Sequence, residues 1–89
     1  MLRIWTESED ERGGERRLQL RLEGQLRGAA VAELARVAED AIARGLRLEV
    51  DLGSVSSLDP SGVALLRSLR TRRVDLSNCS PFTAEQLRS

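Results

Sequence analysis

Apolar and polar positions alternate along residues 2–8, where Leu2, Ile4 and Thr6 are interleaved with Arg3, Trp5 and Glu7. That period of two predicts a short strand. Residues 9–15 (EDERGGE) are charged and carry Gly13-Gly14, which predicts a loop or hairpin turn. The cleanest strand is 16–23, with Leu18, Leu20 and Leu22 on one face and Arg17, Gln19, Arg21 and Glu23 on the other. Gly24 to Ala29 reads as a turn. The period then becomes helical over 30–44, with Val31, Leu34, Ala38, Ala41 and Ile42 forming the apolar stripe. Glu33, Arg36, Asp40 and Arg44 lie outside that stripe. The i,i+4 pairs Arg36–Asp40 and Asp40–Arg44 are worth about 0.3 kcal/mol each. Gly45 closes the helix.

A further alternation, 46–52, is followed by a Gly/Ser stretch from Gly53 to Leu58 that predicts a loop. Asp59-Pro60-Ser61-Gly62 then opens a helix over 60–70 that buries Val63, Leu66 and Leu69. Asp59 suits the N-cap, and Pro60 suits the first helical position, where a missing N–H does no harm. Residues 73–77 repeat the strand pattern with Val74 and Leu76. Ser80-Pro81 starts a last short helix, with Thr83-x-x-Gln86 as a competing capping box.

The order β-β-α-β-α-β-α implies an α/β fold in one domain, residues 1–89. Strands joined through helices pair in parallel with right-handed crossovers, giving a mostly parallel four-stranded sheet. The first two strands pair as an antiparallel hairpin. Strict alternation means that helices cover one sheet face only. The other face carries Arg17, Gln19, Arg21, Glu23, Arg47, Glu49, Asp51 and Asp75, with Trp5 on the same parity. It reads first as a solvated face of cross-strand pairs, and second as a partner surface anchored by Trp5.

Composition narrows the possible functions. At 89 residues and 40% hydrophobic content the chain holds one modest core. One Trp, one Phe and no Tyr make that core aliphatic. Fourteen basic residues, all Arg, balance fourteen acidic ones, so no global charge draws nucleic acid or a membrane surface. No apolar run approaches the ~20 residues that span a bilayer. The N-terminus lacks a signal-peptide core, and a cytoplasmic protein without membrane insertion is the expectation.

Catalytic chemistry is scarce. The chain has no His and no Lys, so Ser61 and Cys79 lack the usual base. Cys79 reads as a small side chain near the end of the last strand. A single Cys allows no internal disulfide, and Cys/His metal spacing is impossible. Neither an enzyme, a cofactor nor a metal is expected. An anion site at the start of the second helix is disfavoured, because Asp59 repels anions and Pro60 removes a donor.

Four segments together resemble the STAS family, the sulfate-transporter and anti-sigma-factor-antagonist domains. Val50-Asp51-Leu52 is similar to the end of the family's middle strand. Asp59, Ser61 and Gly62 match three of the four positions of its Asp-Ser-Ser-Gly turn. Leu22-Glu23-Gly24-Gln25-Leu26 resembles its Leu-x-Gly-x-Leu segment, and Asn78-Cys79-Ser80-Pro81 its Ser-Pro entry to the last helix. The resemblance spans nearly the whole chain and implies a STAS-like fold. It also implies a bacterial, non-enzymatic module that binds another protein and regulates transcription. Docking would use the 57–63 turn and the second helix, through Ser57, Asp59, Pro60, Ser61, Gly62 and Val63.

In STAS antagonists the first Ser of the turn is phosphorylated by an anti-sigma factor that is a serine kinase. Here that position is Pro60, and Ser61 remains as the candidate acceptor. Two partner classes follow from the resemblance: an anti-sigma factor or serine-kinase-like regulator, and the ATPase subunit of an ABC-type membrane transporter. Ala29 stands where many relatives carry a polar cap before the first helix.

Overall fold

A computed structural model describes residues 1–88. Strands β1 (Leu2–Arg12), β2 (Glu15–Leu26), β3 (Arg47–Leu58) and β4 (Asp75–Ser77) form one sheet in the order β1-β2-β3-β4. Helices α1 (Ala29–Ala43), α2 (Pro60–Thr71) and α3 (Pro81–Arg88) complete the chain. β1 runs antiparallel to β2, while β2–β3 and β3–β4 are parallel. The sheet is therefore mixed rather than mostly parallel. The antiparallel ribbon is as long as the main parallel pairing, and β4 adds only three residues.

The apolar rows behave as their period requires. Leu18, Leu20 and Leu22 of β2 and Leu48, Val50 and Leu52 of β3 are buried. They meet Leu34, Ala38 and Ala41 of α1 and Leu66 and Leu69 of α2 in one aliphatic core. Val31 and Ile42 pack against it from the margin of the predicted α1 stripe. The interleaved charged residues of β2 and β3 stay half-buried on the opposite face.

Beyond the extension of β2 to Leu26, where a turn was expected, two segments depart from the predicted boundaries. Residues 9–15 are hairpin rather than loop. Both strands continue to a two-residue turn at Gly13-Gly14, with φ of 56° and 84°. Two successive positive φ values are what a tight hairpin turn demands. Charge does not break the pairing, because the register sets Asp10 opposite Arg17, Glu11 opposite Arg16 and Arg12 opposite Glu15.

Residues 53–58 are strand rather than loop. The β2–β3 register slips between Arg21 and Glu23 and again between Gly24 and Gln25, each time with an extra residue in β3. These two bulges lengthen the inward spacing from two residues to three, so that Leu52, Val55 and Leu58 all reach the core. At the first bulge the Asp51 carboxylate accepts from the Gly53 N–H at 2.8 Å.

Both long helices end alike. After α1, Leu46 N–H donates to the Ala41 carbonyl and Gly45 N–H to that of Ile42. After α2, Val74 donates to Leu69 and Arg73 to Arg70. Each is a Schellman closure with a left-handed residue, Gly45 at φ 77° and Arg73 at φ 70°. At the start of α3, Ser80 is the cap, because its Oγ accepts from the Thr83 N–H at 3.1 Å.

Candidate functional site

The Asp-Pro-Ser-Gly turn joins β3 to α2. Asp59 is extended (φ −101°, ψ 173°) and caps the helix, its Oδ1 accepting from the Gly62 N–H at 2.8 Å. The Ser61 hydroxyl donates to the same oxygen at 2.8 Å. Oδ2 reaches across to accept from the Gly28 N–H at 2.9 Å. Gly28 is the N-cap of α1 and has no side chain with which to cap it. One carboxylate therefore serves the starts of two helices.

The first turn of α1 satisfies its own amides by tight i→i−3 bonds, Ala30 to Arg27 and Val31 to Gly28. The polar cap missing at Ala29 is thus made up by a tightened turn whose cap residue is tied to Asp59. The Gly28 and Gly62 amides, with the Ser61 hydroxyl, hold the Asp59 carboxyl down to about 2, from an ordinary 3.8. Such a carboxylate stays charged at neutral pH and is a poor proton acceptor.

Pro60 occupies the first helical position and is exposed. Gly62 is buried, and a Cβ there would lie 2.5 Å from the Leu26 carbonyl oxygen. Its missing side chain lets α2 rest on the end of β2. Ser61 is exposed, with its hydroxyl engaged by Asp59. Ser57 is half-buried, and its Oγ is enclosed without a hydrogen-bond partner. The neighbouring Ser56 donates its hydroxyl to the Gly24 carbonyl at 3.1 Å.

A shallow groove of about 320 Å³ opens beside this turn, lined by Leu58, Asp59, Pro60, Val63, Ala64, Arg67 and Gln86. The structure thus gathers the predicted Asp59, Pro60 and Val63 along one wall. Gly62 lies beneath, and Ser57 and Ser61 do not line the groove. Ala64 and Arg67 were missed by sequence reasoning, although they continue the Pro60 face at helical spacing.

No local signal placed Gln86 on the groove, since it read only as part of a capping box. It arrives because Arg67 and Arg70 bind the end of α3. Arg67 donates from Nε to the Leu87 carbonyl at 3.1 Å and from Nη2 to that of Gln86 at 3.2 Å. Arg70 adds a bond to the Leu87 carbonyl at 3.3 Å. Two guanidinium groups thereby satisfy carbonyls that a short helix leaves open.

On the outer sheet face the charged residues pair across strands. Gln19 donates to Glu49 at 3.2 Å, Arg47 meets Asp75 at 3.3 Å, and Arg21 meets Glu7 at 3.1 Å. The Arg21 guanidinium also lies 6.0 Å from the centre of the Trp5 ring. Cys79 is half-buried against the core near the end of β4.

A family model described as "Mlab, STAS domain" matches residues 10–89. The chain belongs to the STAS family. The match takes in the turn, α2 and every residue lining the groove. No curated protein matches the chain. Among the described residues no helix is long and apolar enough to cross a membrane.

Proposed function

We propose that this STAS domain is a non-enzymatic docking module of the anti-sigma-factor-antagonist type. It captures another protein through the 57–63 turn and the exposed face of α2. The observation that carries constitutive docking through this turn is Pro60. It stands on the groove wall, at the position where the resemblance puts the phosphorylated serine, and it has no hydroxyl. With the turn pinned by Asp59, the surface is always presented, and binding is constitutive rather than switched.

Within this reading Pro60, Val63 and Ala64 supply apolar contact, and Asp59 and Arg67 supply charge at the rim. Ser61 works as part of the Asp59 clamp. A phosphate on it would break its bond to Asp59 and set like charges together. The partner is an anti-sigma factor or serine-kinase-like regulator in the cytoplasm.

A second reading, an accessory subunit on the ATPase of a membrane transporter, is favoured by the same Pro60, because a permanent subunit needs no phosphoswitch. Affinity capture from the native lysate with mass spectrometry separates the two. A kinase-like regulator supports the first reading and a transporter ATPase the second. Val63→Asp and Ala64→Arg, which change exposed or half-exposed positions of α2, are expected to abolish capture. Capture unaltered by both variants would contradict docking at the groove.

A further inference from the structure

The sheet ends on β1, and no other strand pairs with its outer edge among the described residues. An eleven-residue edge strand is an open template for another strand unless something blunts it. Its second half is blunted by the acidic run Glu9, Asp10 and Glu11, beyond a register irregularity between Thr6 and Ser8. The first half, Leu2 to Glu7, carries one Arg, one Trp and one Glu on the charged face, at positions 3, 5 and 7.

We propose that this edge pairs antiparallel with the same edge of a second copy of the chain, centred on Trp5. A two-fold axis through that residue sets Trp5 against its own copy. It sets Arg3 against Glu7 of the other copy, twice by symmetry. Within one chain the register already places Glu23 beside Arg3, and Glu7 forms its ion pair with Arg21. The seam therefore continues a row of alternating sign: Glu23, Arg3, then Glu7 and Arg21 of the second copy. On the other face Ile4, already half-buried against the core, meets Thr6. β-branched and aromatic cross-strand pairs are the favourable ones at such a seam.

The register is selective. Centring the axis on Glu7 opposes two carboxylates and sets Trp5 against Glu9. A one-residue slip sets the charged row of one copy against the apolar row of the other. A two-fold axis perpendicular to the sheet keeps both sets of helices on one side and yields a continuous eight-stranded sheet. Trp5 is 44% exposed, an unusual position for the chain's single Trp, and the seam covers it. β2 separates β1 from β3, so the α2 groove stays open and its capture experiment is independent of this one.

The test is sedimentation equilibrium of the full chain over a range of concentrations, with tryptophan emission recorded in parallel. The expected result is a reversible, salt-weakened dimer whose emission shifts to the blue as it forms. Arg3→Glu and Glu7→Arg should each weaken dimerisation roughly tenfold, since each sets two like-charge pairs at the seam. The double swap Arg3→Glu/Glu7→Arg should restore it, with thermal melts showing all variants folded. A chain that stays monomeric with unmoved emission would overturn the proposal. So would a dimer indifferent to the single reversals, or one that the double swap fails to rescue.

Discussion

The starts of α1 and α2 lie side by side, yet they are built in opposite ways. α2 carries its own cap: Asp59 holds the Gly62 amide, and Pro60 removes one amide that would need a partner. α1 begins at Gly28, which has φ 57°, ψ −130° and no capping side chain. It relies on tight i→i−3 bonds and on the second oxygen of Asp59. A conformation available mainly to glycine is tolerated at one helix because the other provides the anchor. The Asp-Pro-Ser-Gly turn is thus held by more of the fold than its four residues suggest, which suits the proposed docking without movement.

Asp59→Ala attacks both starts together. It should lower the thermal midpoint, measured by circular dichroism, more than Gly62→Ala or Gly28→Ala does. Acid should mimic it. The folded carboxyl titrates near 2 and the unfolded one near 3.8, so its contribution is complete above about 3.8 and is lost as pH falls through 2. Across that window the midpoint of Asp59→Ala should fall less steeply than that of the wild type. Equal slopes would contradict the assignment.

The two glycines separate close packing from backbone strain. Gly62→Ala drives a Cβ against the Leu26 carbonyl and should cost about 1–3 kcal/mol in denaturant unfolding. Gly28→Ala meets no atom within 4 Å. It should still cost about 1–2 kcal/mol, because the left-handed backbone must be kept. If Gly28→Ala proved neutral, α1 would not depend on that conformation.

The helix ends sharpen the contrast with the smallest effect. The same Schellman closure holds Gly45 after α1 and Arg73 after α2. Arg73→Gly should raise stability by about 0.5–1 kcal/mol in denaturant unfolding, since it relieves a left-handed non-glycine residue. Its side chain is exposed and offers little to lose.

What the chain disclosed in advance follows from which forces are local. The Leu18-Leu20-Leu22 and Leu48-Val50-Leu52 alternations, the α1 stripe and the Asp59-Pro60 helix start are all written in neighbouring residues, and all stand. The second half of β3 was hidden because two bulges stretch the spacing of Leu52, Val55 and Leu58 to three, where a period of two is the strand signal. The hairpin tip was hidden because its charges look solvated until Asp10 is seen opposite Arg17. At the site, the capping role of Asp59 was readable. Its bond to Gly28, thirty-one residues away, was not, and neither was the arrival of Gln86 on the groove. Those depend on how β2, β3 and α3 come together, which no local pattern encodes.

The groove beside the turn rests on one carboxylate that fixes both helix starts beneath it. Native-state amide hydrogen exchange of the Gly28 and Gly62 N–H groups, read by NMR in the wild type and in Asp59→Ala, which removes both acceptor oxygens, tests this most directly. Both amides should be slowed in the wild type, and both should exchange faster in the variant. Faster exchange at Gly62 with Gly28 unchanged would mean that α1 stands without Asp59, and the shared anchor would be refuted.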